Sequence, residues 1–218
     1  MRTMTGKEDR YLFSWFIITA RFLELLLPLL CMSIWTTGQL GAARRLLWSE
    51  GASRAFNSDP SVGRYFYANQ TETSNVPFIW SARSTESNIA VVMCTSMIVV
   101  ARGGMHASSK VNVRLMDLVF NVVLLPLWIG SLIGQLSSDD SDPHHSSLYP
   151  WYLRSSCASA HLGAQRACRN AQLTFLLTFL MILLYGAWTL KNLYHEARKF
   201  FGGDNQNSVQ KRELFLEA

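Results

Sequence analysis

Charge is scarce in this chain: Asp, Glu, Lys and Arg make up only 16% of its 218 residues, against roughly 25% in soluble domains. With a hydrophobic share of 49%, so few charges cannot cover the surface of a single water-soluble core. Cysteine is also sparse. Cys31, Cys94, Cys157 and Cys168 are too few and too dispersed for a disulfide-built scaffold or a tight zinc site. The formal charge of +5 includes no run of basic residues that would make a stripe for a phosphate backbone, which excludes nucleic acid as an expected partner. No HExxH, GxSxG, CxxC, P-loop or dinucleotide fingerprint occurs, so neither catalysis, a cofactor nor a bound metal is expected.

What the chain has instead is long apolar runs. The mean hydropathy of +0.11 averages them with polar connections. Residues 11–35, from Tyr11 to Trp35, are long enough to cross a hydrocarbon core as a helix, although Arg21 and Glu24 interrupt them. The run continues to Thr36, Thr37 and Gly38 without a cleavage pattern, and so reads as a retained span rather than a signal peptide. Residues 87–103 form a shorter apolar segment, and 113–136 and 171–190 form two stronger ones. These define an all-α membrane protein, a four-helix transmembrane bundle. Trp128, Tyr185 and Trp188 are expected near the membrane interfaces, and Cys31 and Cys94 among packing residues.

Orientation follows from the connections. Residues 1–10, 101–114 and 191–218 carry 11 Lys or Arg in 52 positions, whereas 36–86 and 137–170 carry 8 in 85. The denser set should be cytosolic. All five lysines, Lys7, Lys110, Lys191, Lys199 and Lys211, fall in it. The expected order is therefore a cytosolic N-terminus (1–10), outer loop 36–86, cytosolic loop 104–112, outer loop 137–170 and cytosolic tail 191–218. A glycosylation sequon begins at Asn69 in the first outer loop, and Cys157 and Cys168 share the second, where they are candidates for a disulfide. Plasma membrane, vesicle and endoplasmic reticulum are not distinguished by these features.

Arg21 and Glu24 are three residues apart in the first span, and Arg114 and Asp117 repeat that spacing in the third, with Asn121 one turn further on. Charges of this kind do not face lipid cheaply, so they either pair inside the bundle or meet a partner. Pro28 and Pro126 permit kinks in the same two helices. In the first outer loop, Arg44 to Trp48 reads as a short amphipathic piece along the membrane surface, and Tyr65, Phe66, Tyr67, Phe78, Ile79 and Trp80 either pack on the helix ends or form a partner interface. In the second, Asp139, Asp140, Asp142, His144 and His145 have no spacing that fixes a metal geometry and read as a solvated turn ended by Pro143. Tyr149, Trp151 and Tyr152 mark a return toward the interface. His106 and His195 read as surface residues, and the tail after Lys191 as a short interfacial or regulatory helix.

The four spans, the Arg-x-x-Glu of the first, RLMDLVFNVVLLPLWIGSLIG in the third and CRNAQLTFLLTFLMILLYGAWTL entering the fourth resemble the MARVEL type of tetraspan. That resemblance implies a role in membrane apposition, vesicle or junction organisation and protein sorting, with no catalytic constellation. The long first loop is closer to claudin-like tetraspans, but it has no Trp followed by a cysteine pair, all loop cysteines lying in the second outer loop. The reading is a noncatalytic tetraspan that organises or scaffolds membrane proteins. The alternatives are an accessory subunit of a larger membrane enzyme, transporter or channel, and a pore- or junction-forming protein. The expected partners are the lipid bilayer and either an integral membrane protein or a second copy of the chain.

Overall fold

The computed structural model describes residues 5–38, 42–56, 59, 61, 76–107, 113–141 and 146–216, with side chains omitted at 5–14, 16, 17, 106, 107, 113, 114 and 199–216. The described chain is helical: α1 (Thr5–Gly38), α2 (Ala42–Ser53), a 3-10 turn at Phe78–Trp80, α3 (Ala82–Ala107), α4 (Val113–Gln135), α5 (Trp151–Arg154), a second 3-10 turn at Cys157–Ser159, and α6 (Leu162–Leu216). The one β-type pairing among the described residues is an isolated antiparallel bridge between Asp139 and Ser147.

Four of these helices, α1, α3, α4 and α6, are long and apolar enough to cross a membrane. Backbone amides in hydrocarbon must be satisfied internally, which a helix does for every interior residue. Pro28 and Pro126 lie inside α1 and α4 without ending either. The helices overrun the apolar segments that identify them. α3 starts at Ala82 rather than 87, and α6 starts at Leu162 rather than 171 and continues unbroken past 190. At about 1.5 Å per residue, the 55 residues of α6 extend roughly 80 Å, far beyond a hydrocarbon core of about 30 Å. The start of α6 overruns the apolar segment where Ala164, Ala167 and Cys168 pack into a core of their own.

The bundle seam follows a heptad-like spacing. On α4 the inward residues are Asp117, Asn121, Leu124, Trp128, Ser131 and Gln135, alternately four and three apart; Asp117 has 13% of its side chain exposed and the others are buried. On α3, Asn88, Thr95 and Arg102 recur every seventh residue, all buried. On α6 the same face runs from Ala164 through Ala171, Thr174, Thr178, Met181 and Tyr185 to Trp188. Such spacing keeps one stripe of each helix against its neighbours. Leu27, Cys31 and Trp35 of α1 complete the middle of the core with Val92, Leu124, Trp128, Leu177, Met181 and Tyr185. Trp128, Tyr185 and Trp188 are buried inside the bundle, and Cys94 is exposed while Cys31 is fully buried.

A second core lies beyond one end of the bundle. Ala164, Ala167, Cys168 and Ala171 form a small-residue face on the first turns of α6, and Leu47, Trp48, Ile79, Trp80, Trp151, Tyr152 and Cys157 pack around it. Small side chains let the large rings approach the helix closely. Trp48 and Trp80 stack with centroids 6.1 Å apart, and Tyr152 meets Trp80 edge-on at 6.2 Å. Leu47 and Trp48 thus turn inward, while Leu46 of the same piece is 46% exposed. Ile79, Trp80, Trp151 and Tyr152 are likewise buried within the chain, while Phe78 and Tyr149 remain 42% and 48% exposed. Tryptophans have enough apolar area to build such a core from a few large rings.

Candidate functional site: a charged clamp and an aromatic cap

At the end of the bundle opposite the cap, four charges from three helices form one cluster. Arg21 Nη1 donates to Glu24 Oε2 at 2.9 Å, and Arg21 Nη2 to Asp117 Oδ2 at 2.9 Å. Arg102 Nη1 donates to the other oxygen of Glu24, Arg102 Nε lies 3.1 Å from Asp117 Oδ1, and Arg102 Nη2 donates to Asn121 Oδ1 at 2.9 Å. Two guanidiniums and two carboxylates balance formally. The Arg21 guanidinium also stands 4.8 Å from the centre of the Trp188 ring, which brings α6 into the cluster. Glu24 and Arg102 are 1% and 4% exposed, so this is an interior clamp. Its chemistry is that of paired, hydrogen-bonded charges, the form in which ions are tolerated in an apolar interior.

Neutral polar groups continue the seam toward the cap. Trp128 Nε1 donates to Thr95 Oγ1 at 3.1 Å, Ser131 Oγ to Asn88 Oδ1 at 2.8 Å, and Gln135 Nε2 to Thr178 Oγ1 at 2.9 Å. These bonds join α3 to α4 and α4 to α6, as polar side chains do between membrane helices.

The cap has its own polar frame. Arg44 of α2 donates to the carbonyls of Trp80 and Ser81 and to Thr85 Oγ1, tying α2 to the start of α3. Burial lowers its pKa, an effect opposed by the charges of Tyr152 and Glu86. Burial and the neighbouring Asp139 raise the Tyr152 hydroxyl, against the pull of Arg44. Glu50 Oε1 accepts from Arg54 Nε at 2.6 Å and from the His161 backbone N–H at 3.0 Å, and Glu50 Oε2 lies 2.7 Å from His161 Nδ1. Burial pushes the Glu50 carboxyl up, but the hydrogen bonds from His161 and Arg54 outweigh it and hold the group below its ordinary value. Because His161 immediately precedes α6, Glu50 also places a negative charge at the positive end of that helix. Trp151 Nε1 donates to the Leu47 carbonyl at 2.9 Å. Cys157 and Cys168 are disulfide-bonded with Cα atoms 5.6 Å apart, fastening the second 3-10 turn to α6.

Of the residues singled out in the sequence, Arg21, Glu24, Asp117 and Asn121 meet in the clamp. The side chain of Arg114 lies outside the described residues, as do Asn69, Tyr65, Phe66, Tyr67, Asp142, His144 and His145. Asp139 departs from the expected solvated turn. It is fully buried and accepts from Ser141 Oγ at 2.6 Å, while its backbone pairs with Ser147. Among the described residues no group of three or more His, Cys, Asp or Glu is placed to hold a metal ion. Sequence reasoning missed Arg102, Arg44, Glu50 and His161. Arg102 was legible as the third member of the Asn88, Thr95, Arg102 heptad series; Glu50 and His161 are 111 residues apart, and no local pattern joins them.

The fold and these two clusters define a multi-pass helical membrane protein whose bundle is clamped by charge at one end and capped by a disulfide-tied aromatic core at the other. No family model, no curated protein and no solved structure matches the chain.

Proposed function

We propose that this chain is a noncatalytic tetraspan that organises membrane proteins, a rigid platform of the kind its MARVEL-type resemblance implies. The observation that carries the reading is the internal closure of its intramembrane charges. Glu24, Arg102 and Asp117 pair with one another and with Arg21, so they stabilise the platform rather than await complementary charges on a partner. What remains for association is the outward helix surface, where Phe22, Met97, Val119 and Leu183 are exposed, and the exterior of the cap, where Phe78, Leu148 and Tyr149 are exposed. The middle of the bundle is filled by Trp128, Tyr185, Leu124 and Met181, which weighs against a pore through a single chain.

The proposed orientation puts both termini in the cytosol and the cap in the lumen or outside the cell. The placement of every lysine and the Cys157–Cys168 disulfide, which persists in oxidising compartments, support it. Purification of the native protein in polymer-bounded lipid discs, followed by chemical crosslinking, tests the function. Self-association or a variable set of neighbours is expected. One constant, stoichiometric catalytic or channel partner would replace this reading with that of an accessory subunit.

A further inference from the structure

An open cavity of about 430 Å³ lies beside the cap end of α4 and α6, lined by Leu136, Tyr149, Leu153, Arg154, Gln172 and Phe175. Its level relative to the membrane follows from the helices. The apolar span of α4 ends at Gln135, so Leu136 sits at the hydrocarbon boundary. On α6 the apolar segment 171–190 begins beside Gln172, which puts Gln172 near that boundary and Phe175 about one turn inside it. The cavity therefore straddles the boundary, with Leu136, Leu153 and Phe175 as its apolar part and Arg154, Gln172 and Tyr149 as its polar part.

The polar groups differ in how far they are engaged. Gln172 Nε2 is held by the Tyr152 carbonyl at 2.8 Å. Arg154 is exposed, donates through Nη1 to Ser147 Oγ at 3.0 Å, and makes no ion pair with a carboxylate among the described residues. A guanidinium carries five N–H donors in a planar fork suited to phosphate, so most of this one is available. A free anion would use Arg154 and leave three apolar side chains wet, whereas a hydrocarbon would leave the cation unmatched. A molecule with a phosphate at the boundary and acyl chains below it meets both halves. The flanking Leu148 is 77% exposed and suits the same interfacial setting.

We propose that this cavity binds an anionic phospholipid of the leaflet next to the cap, with the phosphate on Arg154 and an acyl chain against Leu136 and Phe175. The test is native mass spectrometry of the full chain in uncharged detergent, titrated with palmitoyl-oleoyl phosphatidylglycerol, the matching phosphatidylcholine, or inorganic phosphate. One phosphatidylglycerol per chain is expected to be retained about tenfold more strongly than phosphatidylcholine. Arg154→Gln should remove that preference and Arg154→Lys, which keeps the charge but not the fork, retain only part of it, while Arg83→Gln, at an exposed arginine elsewhere on the cap side, leaves it unchanged. Leu136→Trp, which fills the apolar half, should lower retention of both lipids and carries the test if Arg154→Gln does not fold. The proposal is overturned if the two lipids bind the wild-type chain equally, if Arg154→Gln and Arg83→Gln behave alike, if Leu136→Trp retains both lipids as the wild type does, or if millimolar inorganic phosphate displaces the lipid.

Discussion

Replacing Arg102 by Met tests whether the charged clamp holds the bundle together. Arg102 is 4% exposed and faces Glu24, Asp117 and Asn121. Its loss leaves two carboxylates to share Arg21, whose side chain is 31% exposed. Breaking a buried ion pair by removing one partner costs about 3–5 kcal/mol in soluble proteins. The helices stay inserted when a membrane bundle comes apart and find other partners there, so the low end, about 3 kcal/mol, is expected. The reasoning makes a sharper claim for the double variant. Glu24→Gln together with Arg102→Met removes one charge of each sign and leaves the Arg21–Asp117 pair at 2.9 Å intact. It should recover about half of the loss. Unfolding free energies measured by steric trapping in lipid bicelles give all four corners of the cycle. An Arg102→Met chain within about 1 kcal/mol of wild type, or a double variant less stable than that single variant, would refute the clamp as a balanced unit.

Three further outcomes follow from the cap and its seat on the bundle. The depressed pKa of Glu50 means that its bonds to Arg54 and His161 stabilise the cap above the ordinary carboxylate pKa of about 4.3, and that this contribution disappears as pH falls through the folded value. Amide protection factors of residues 42–56, referred to the intrinsic exchange rate at each pH, should therefore fall on acidification below about pH 4.3, and Glu50→Gln should flatten that dependence while lowering protection at neutral pH. At Gly134 an added Cβ would stand 3.0 Å from the Phe78 ring, whereas nothing lies within 4 Å of one at Gly130. Gly134→Leu should cost about 1–3 kcal/mol and Gly130→Leu less than about 0.5 kcal/mol, a contrast readable in thermal aggregation midpoints. Cys168→Ser opens a loop of 11 residues and should cost the cap about 3 kcal/mol by loop entropy. Tryptophan emission during urea unfolding, with and without reductant, would show it, and a reductant-insensitive wild-type cap would contradict the estimate.

The apolar runs alone determined the four spanning helices, because in a chain with 16% charge each run is long enough to cross hydrocarbon as a helix that satisfies its own backbone. They could not say which face of each helix turns inward. In water an apolar stripe marks the buried side, but here the outward residues are as apolar as the inward ones. Val122, Val123 and Ile133 of α4 face out, while Asp117, Asn121, Ser131 and Gln135 face in. The informative pattern was the spacing of the polar residues, in which Arg102, missed in the sequence, falls in register with Asn88 and Thr95. The sequence left open whether Arg21 and Glu24 closed on themselves or met a partner, and the tertiary structure brings α3 and α4 alongside, where Asp117 and Arg102 pair with them. It also decided the fate of the aromatic loop residues. Trp48, Trp80 and Trp151 are separated by long stretches of chain, and only the alanine face at the start of α6 gives them a common surface to bury. Local pattern thus specified what must lie in the membrane, whereas long-range contacts specified how the charges are neutralised and what is built beyond it.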